Sequence, residues 1–148
     1  MAKTFNEDED LIVLANKVIA EHNLAYMNSV KCRYLLVEPN ISKTTPGKCI
    51  KASNELKHFG QADYLIEFSQ DIWESIDDPT REILMYHELQ HILVKLVKGK
   101  ETFSILGHDI NDFSTIVKKY GVDWFQQFKD IVAATYELEG SDKDKISI

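Results

Sequence analysis

Asp77-Asp78-Pro79-Thr80-Arg81-Glu82-Ile83-Leu84-Met85-Tyr86-His87-Glu88-Leu89-Gln90-His91 is the stretch on which the reading of this chain turns. Asp78 suits a helix N-cap and Pro79 the first helical position, so the spacing predicts a helix that starts near Pro79. Apolar residues continue at helical intervals to Gly99, where the helix is expected to end. Ile83, Tyr86, Leu89, Leu93, Leu96 and Val97 are expected to pack inward, leaving Leu84, His87, Glu88, His91 and Lys95 together on another side. His87, Glu88 and His91 form an HExxH pattern. Residues four apart on a helix stand one turn above each other, so His87 and His91 can aim two imidazoles at one divalent ion while Glu88 serves as base toward a water beside it. Tyr86, on the inward side, is read as a packing residue and not as an oxyanion donor.

Catalytic zinc sites usually hold three protein ligands, so a third must be found. The extended signature HExxHxxGxxH requires glycine at position 94 and histidine at position 97, where Val94 and Val97 stand, which excludes the metzincin arrangement. His108 is the better candidate, because it follows Gly107 at an expected chain reversal and opens a helix from Asp109 to Tyr120. Asp109 beside it can cap that helix or orient an imidazole. Glu101, just past the expected helix end, and Glu137, on the last helix, are carboxylate alternatives without a surrounding motif. His22 and His58 have no ligand-type spacing and read as ordinary helix-end and loop residues.

Upstream, Asn6-Glu7-Asp8-Glu9 resembles a capping box, and the spacing of Leu11, Leu14, Ala15, Val18 and Ile19 predicts a first helix ending near Asn23. Three β-prone runs follow: Arg33 to Glu38, stopped by Pro39; Lys48 to Ser53, after the turn signal Thr44-Thr45-Pro46-Gly47; and Asp63 to Ser69, a half-buried strand in which Tyr64, Ile66 and Phe68 alternate. Gln70 to Ile76 reads as a short helix. Past the motif, Glu101 to Leu106 is an irregular or extended link, Trp124 to Leu138 the last helix, and Glu139 to Ile148 a frayed polar tail.

The chain has 148 residues, near the usual size of one domain, so 1–148 is expected to form a single unit with 1–5 and 139–148 flexible. Hydrophobic residues at 44% and charged residues at 28% match a soluble globular protein. No run approaches the roughly 20 apolar residues of a bilayer span, and the acidic start of the chain lacks the apolar core of a secretory signal, so a cytoplasmic address is expected. Cys32 and Cys49 are then expected as free thiols; no CxxC exists, which removes a zinc ribbon. The formal charge of −7 argues against affinity built on phosphate neutralisation, so nucleic acid is not the expected partner. Lys95, Lys98 and Lys100 read as a solvated helix end.

The succession Asp63-Tyr64-Leu65-Ile66-Glu67-Phe68, Trp73, Arg81, the His87-Glu88-Leu89-Gln90-His91 motif, His108-Asp109-Ile110-Asn111-Asp112-Phe113, Tyr120-Gly121 and Trp124 resembles the phage metallopeptidases, a zincin-like family related in layout to SprT-like peptidases. The likeness spans about Lys48 to Trp124; Gln90 departs from the small residue or cysteine often seen at that place. The resemblance implies a compact α+β zincin-like fold: a three- to four-stranded sheet packed on an N-terminal helix and the HExxH helix, followed by C-terminal helices. It implies one zinc ion bound by His87, His91 and His108, and metalloendopeptidase activity on a protein substrate with Glu88 as general base. For a phage-encoded protein the address becomes the host cytoplasm. In zincins the strand before the active-site helix offers an edge to an extended substrate, a role expected here of Tyr64 to Phe68. The alternative is a zinc-binding but non-catalytic interaction protein, for example a phage factor acting on a host protein. Processing of DNA–protein crosslinks is disfavoured by the acidic charge and the missing ribbon.

Overall fold

The computed structural model describes residues 2–106 and 123–148. Four strands form one sheet in the order β1 (Thr4–Glu7), β2 (Cys32–Glu38), β4 (Tyr64–Ser69), β3 (Gly47–Lys51). β2 and β4 run parallel, and the outer strands are antiparallel to their neighbours, with Cys49 opposite Ile66 and Phe5 opposite Val37. The fold is α+β, as the resemblance implied.

β1 displaces the expected helix start. Asn6 and Glu7 pair with Leu36 and Leu35, so Asp8 becomes the cap of α1 (Glu9–Glu21), its carboxylate accepting from the Asp10 amide at 2.8 Å. Leu11, Ala15 and Val18 form the buried stripe of α1. After a 3-10 turn (Ala25–Ser29), β2 and β3 comes α2 (Asn54–Gly60), which the sequence reading missed. Ser53 caps it, accepting from the Leu56 amide at 3.2 Å.

β4 is paired on both sides and is buried on both faces except for Leu65, so the half-buried expectation is too weak. Glu67 is carried inside with it, 3.9 Å from Lys48 Nζ. α3 (Gln70–Ser75) brings Ile72 and Trp73 to the core, and Trp73 meets Phe68 at 4.4 Å between ring centroids.

α4 (Asp78–Leu89) is capped by Asp77 and not Asp78: the Thr80 amide donates to Asp77 Oδ1 at 3.0 Å. It also ends about ten residues sooner than expected. Ile92–Val97 is strand β5, Lys98-Gly99 a two-residue turn, and Lys100–Ile105 strand β6. Lys98 and Gly99 both have positive φ, 51° and 78°, the conformation a tight hairpin requires and one for which glycine carries no penalty. The run Ile92-Leu93-Val94-Lys95-Leu96-Val97 fits helical and alternating spacing alike, and its β-branched content together with the Lys98-Gly99 turn decides for the strand. Leu96 and Val97, expected inside, are exposed, and the three lysines decorate the hairpin instead of a helix end. Tyr64 ties the hairpin to the sheet, its hydroxyl lying 3.2 Å from Leu93 O and 2.7 Å from Ser104 O.

α5 (Trp124–Tyr136) contributes Trp124, Phe128 and Val132 to the core. α6 (Ser141–Asp144) follows, anchored to α5 by the ion pair of Lys143 with Asp130. The frayed tail expected here is instead packed: Ile146 and Ile148 are each only 5% exposed and belong to the core cluster. The expected helix from Asp109 to Tyr120 lies outside the described residues.

Candidate metal centre

α4 delivers His87 and Glu88 from its last turn. The helix then tightens: the Gln90 amide still donates to Tyr86 O at 3.0 Å, but the His91 amide donates to Glu88 O at 3.1 Å, an i to i−3 bond. His91 therefore sits in the turn beyond the helix, and the hairpin holds it. The Leu106 amide donates to His91 O at 2.7 Å, and His91 Nδ1 lies 2.6 Å from Leu106 O. A carbonyl oxygen only accepts, so Nδ1 carries a proton and Nε2 presents its lone pair to the site. Tyr26 steadies the same turn by donating to Leu89 O at 2.9 Å.

The outcome is a close cluster. His87 Nε2 and His91 Nε2 are 3.2 Å apart, and Glu88 Oε1 is 3.6 Å from His91 Nε2. One ligand atom from each of His87, Glu88 and His91 lies within 4.8 Å of the others, and all three side chains are buried. Two nitrogens bound tetrahedrally to zinc at roughly 2.0 to 2.1 Å stand about 3.3 Å apart, so the imidazole spacing fits a shared ion.

Glu88 adds a second sign. It is fully buried and neither carboxylate oxygen has a hydrogen-bond partner among the described residues; the 3.6 Å approach to His91 is too long for one. Burial raises its pKa from the ordinary 4.5 to about 8. A carboxyl so placed is costly to the fold and is retained in proteins mainly where chemistry uses it. Gly47 on β3 makes room for it: a Cβ there meets Glu88 Oε2 at 3.3 Å and Phe68 at 3.1 Å.

A cleft of about 250 Å³ opens over the cluster, lined by Gly47, Lys48 and Cys49 of β3, by Ile105 and Leu106 at the end of the hairpin, and by Ser147 and Ile148. Both cysteines are free thiols, and burial followed by the charge of Glu88 pushes the Cys49 thiol up. A hollow of similar volume, about 260 Å³, lies at the start of α4, but its Lys17 pairs with Glu82 at 3.5 Å and its Arg81 donates to Trp73 O at 2.9 Å.

Of the residues singled out from sequence, His87, Glu88 and His91 come together. His108 and Asp109 lie outside the described residues. Glu101 on β6 and Glu137 at the C-cap of α5 are both exposed and stand outside the cluster. His22 caps the end of α1 and stacks on Tyr86 at 3.7 Å between centroids, which gives Tyr86 the packing role expected of it. The sequence reading missed the Leu106 carbonyl, Gly47, and the segment that brings Ser147 and Ile148 to the cleft. The substrate edge also needs correction: Tyr64 to Phe68 belongs to β4, which is flanked by β2 and β3, and the strand at this end of the sheet that pairs on one side only among the described residues is β3.

No helix among the described residues is long and apolar enough to cross a membrane. No curated protein and no solved structure matches the chain. The family model described as "Putative phage metallopeptidase" matches residues 3–136, well beyond the stretch that carries the motif, and the chain belongs to that family.

Proposed function

We propose that this chain is a zinc-dependent metalloendopeptidase acting on a protein substrate, with one ion held by His87, His91 and His108 and with Glu88 as general base. The observation that carries the reading is the pair of imidazole nitrogens 3.2 Å apart beside a buried carboxylate that lacks hydrogen-bond partners among the described residues. When bound, zinc supplies Lewis acidity, polarising a carbonyl and acidifying a neighbouring water.

The remaining work falls to the protein. The hydrogen bond from His91 Nδ1 to Leu106 O fixes the tautomer and the direction of the ring. Glu88, one residue along the helix from His87 and with neither carboxylate oxygen engaged in a hydrogen bond among the described residues, takes a proton from the attacking water and returns it to the departing amine. β3 offers its outer edge, Gly47 to Cys49, to an extended substrate segment that adds to the sheet over the cluster.

Replacing Glu88 with Gln tests the assignment. The variant should keep its metal and lose proteolysis of an unfolded protein substrate by at least about a hundredfold, the low end of what a general base contributes. Cleavage at the parent rate would remove Glu88 from the mechanism. A chain that holds zinc and cleaves nothing would instead be an interaction protein on the same fold.

A further inference from the structure

The segment from Lys145 to Ile148 lies in the cleft where a substrate would have to lie. The Ser147 amide donates to Thr44 O at 2.9 Å, a main-chain bond to the loop that runs into β3. One residue on, Ile148 O is 3.0 Å from His87 Nε2, so that nitrogen donates a proton to the segment. Ser147 and Ile148 line the same cleft as Glu88, His91 and Cys49. The side chains of Ile146 and Ile148 are buried to 5% exposure, and Lys143, just before them, is tethered to Asp130. Main-chain pairing beside an edge strand, an aliphatic side chain inserted, and a main-chain oxygen directed at the cluster are the contacts that an extended peptide makes in such a cleft.

We propose that residues 145–148 are a built-in pseudosubstrate strap: they occupy the peptide cleft, contend for His87 Nε2, and mark the site as one that accepts extended segments presenting an aliphatic residue where Ile148 now lies. The regulatory half of this stands on geometry alone; the substrate class rests on the peptidase reading. With the strap in place, Nε2 of His87 is engaged with Ile148 O, and a peptide reaches the cleft only after the segment leaves. Of the strap's contacts, the Ser147–Thr44 bond and the burial of Ile148 are the ones that a substitution removes without touching the cluster.

Cys49 reports on the cleft without any need for catalysis. In the full-length, chelator-treated protein, its alkylation by iodoacetamide, read site by site by mass spectrometry, should accelerate about tenfold in Ile148→Gly, which removes a buried aliphatic side chain, and severalfold in Ser147→Pro, which removes the amide donor. The tripeptide acetyl-Ile-Ser-Ile should return the Ile148→Gly rate toward that of the parent, and acetyl-Asp-Ser-Asp should not. Ser147→Pro keeps both isoleucines and decides the matter if Ile148→Gly does not fold. Unchanged Cys49 rates would overturn the strap, and equal protection by the two peptides would overturn the aliphatic assignment. Zinc content and proteolysis of the same variants read the parent hypothesis separately: faster alkylation without zinc-dependent cleavage leaves the strap standing and removes the peptidase, and the reverse removes the strap alone.

Discussion

A carboxyl that titrates at about 8 inside the fold and at 4.5 outside it links stability to pH. Between those two values the folded chain keeps a proton on Glu88 that the unfolded chain has released. The stabilisation is thus complete below pH 4.5 and is lost as pH rises toward 8. At 1.36 kcal/mol per pKa unit, the metal-free protein should lose on the order of 3 to 4 kcal/mol from this one group between pH 5 and pH 8. Glu88 is fully buried, so solvent screening takes little from that figure. Glu88→Gln removes the ionisation and leaves every other titrating group in place. Urea unfolding of both metal-free proteins at the two pH values should therefore show a parent midpoint that falls by roughly 2 M relative to the variant, for a slope of 1 to 3 kcal/mol per molar. The variant should also be the more stable of the two at pH 8. Parallel pH dependences for parent and variant would refute the burial of a carboxyl that lacks a hydrogen-bond partner among the described residues.

Tyr64→Phe deprives the carbonyls of Leu93 and Ser104 of their shared donor, and should cost about 1 to 3 kcal/mol in chemical denaturation and speed amide exchange at Leu106. Unaltered exchange there would show that the hairpin is held by other contacts. Gly47→Ala sets a methyl group against Phe68 and Glu88, at 3.1 and 3.3 Å, and should lower peptidase turnover more than it lowers thermal stability. Loss of stability without loss of turnover would separate Gly47 from the site.

Sequence patterns are informative here wherever one period dominates. The Leu11, Ala15, Val18 stripe, the alternating Tyr64, Ile66, Phe68 and the Ser69–Gln70 strand-to-helix change all fall where the spacing puts them. His87, Glu88 and His91 are legible for the same reason, since two of them share the last turn of α4 and the third stands in the tighter turn that follows it. Failure comes where two periods coincide. Ile92 to Val97 satisfies both, and only the two-residue Lys98-Gly99 turn with alternating residues on either side signals the hairpin. That error concealed how His91 is held, because the orienting carbonyl of Leu106 reaches it only after the chain reverses. β1 was hidden by a capping pattern two residues too early, and the partner strand Leu35 to Glu38 that draws it in is remote in sequence. The packing of Ile146 and Ile148 is equally non-local: two isoleucines among six polar residues carry no periodicity, and their burial depends on Thr44 and α5. Edge and centre within a sheet are likewise a matter of strand order, which is why β3 and not β4 borders the cleft.

Zinc chloride titrated into the purified, chelator-stripped chain and followed by calorimetry reads the shared site directly. One ion per chain should bind, and His87→Ala or His91→Ala should each weaken that binding by at least about a hundredfold, more than the loss expected for an orienting group alone. Binding in either variant as strong as in the parent chain, or no zinc uptake by the parent chain, would contradict a shared ion between these two imidazoles.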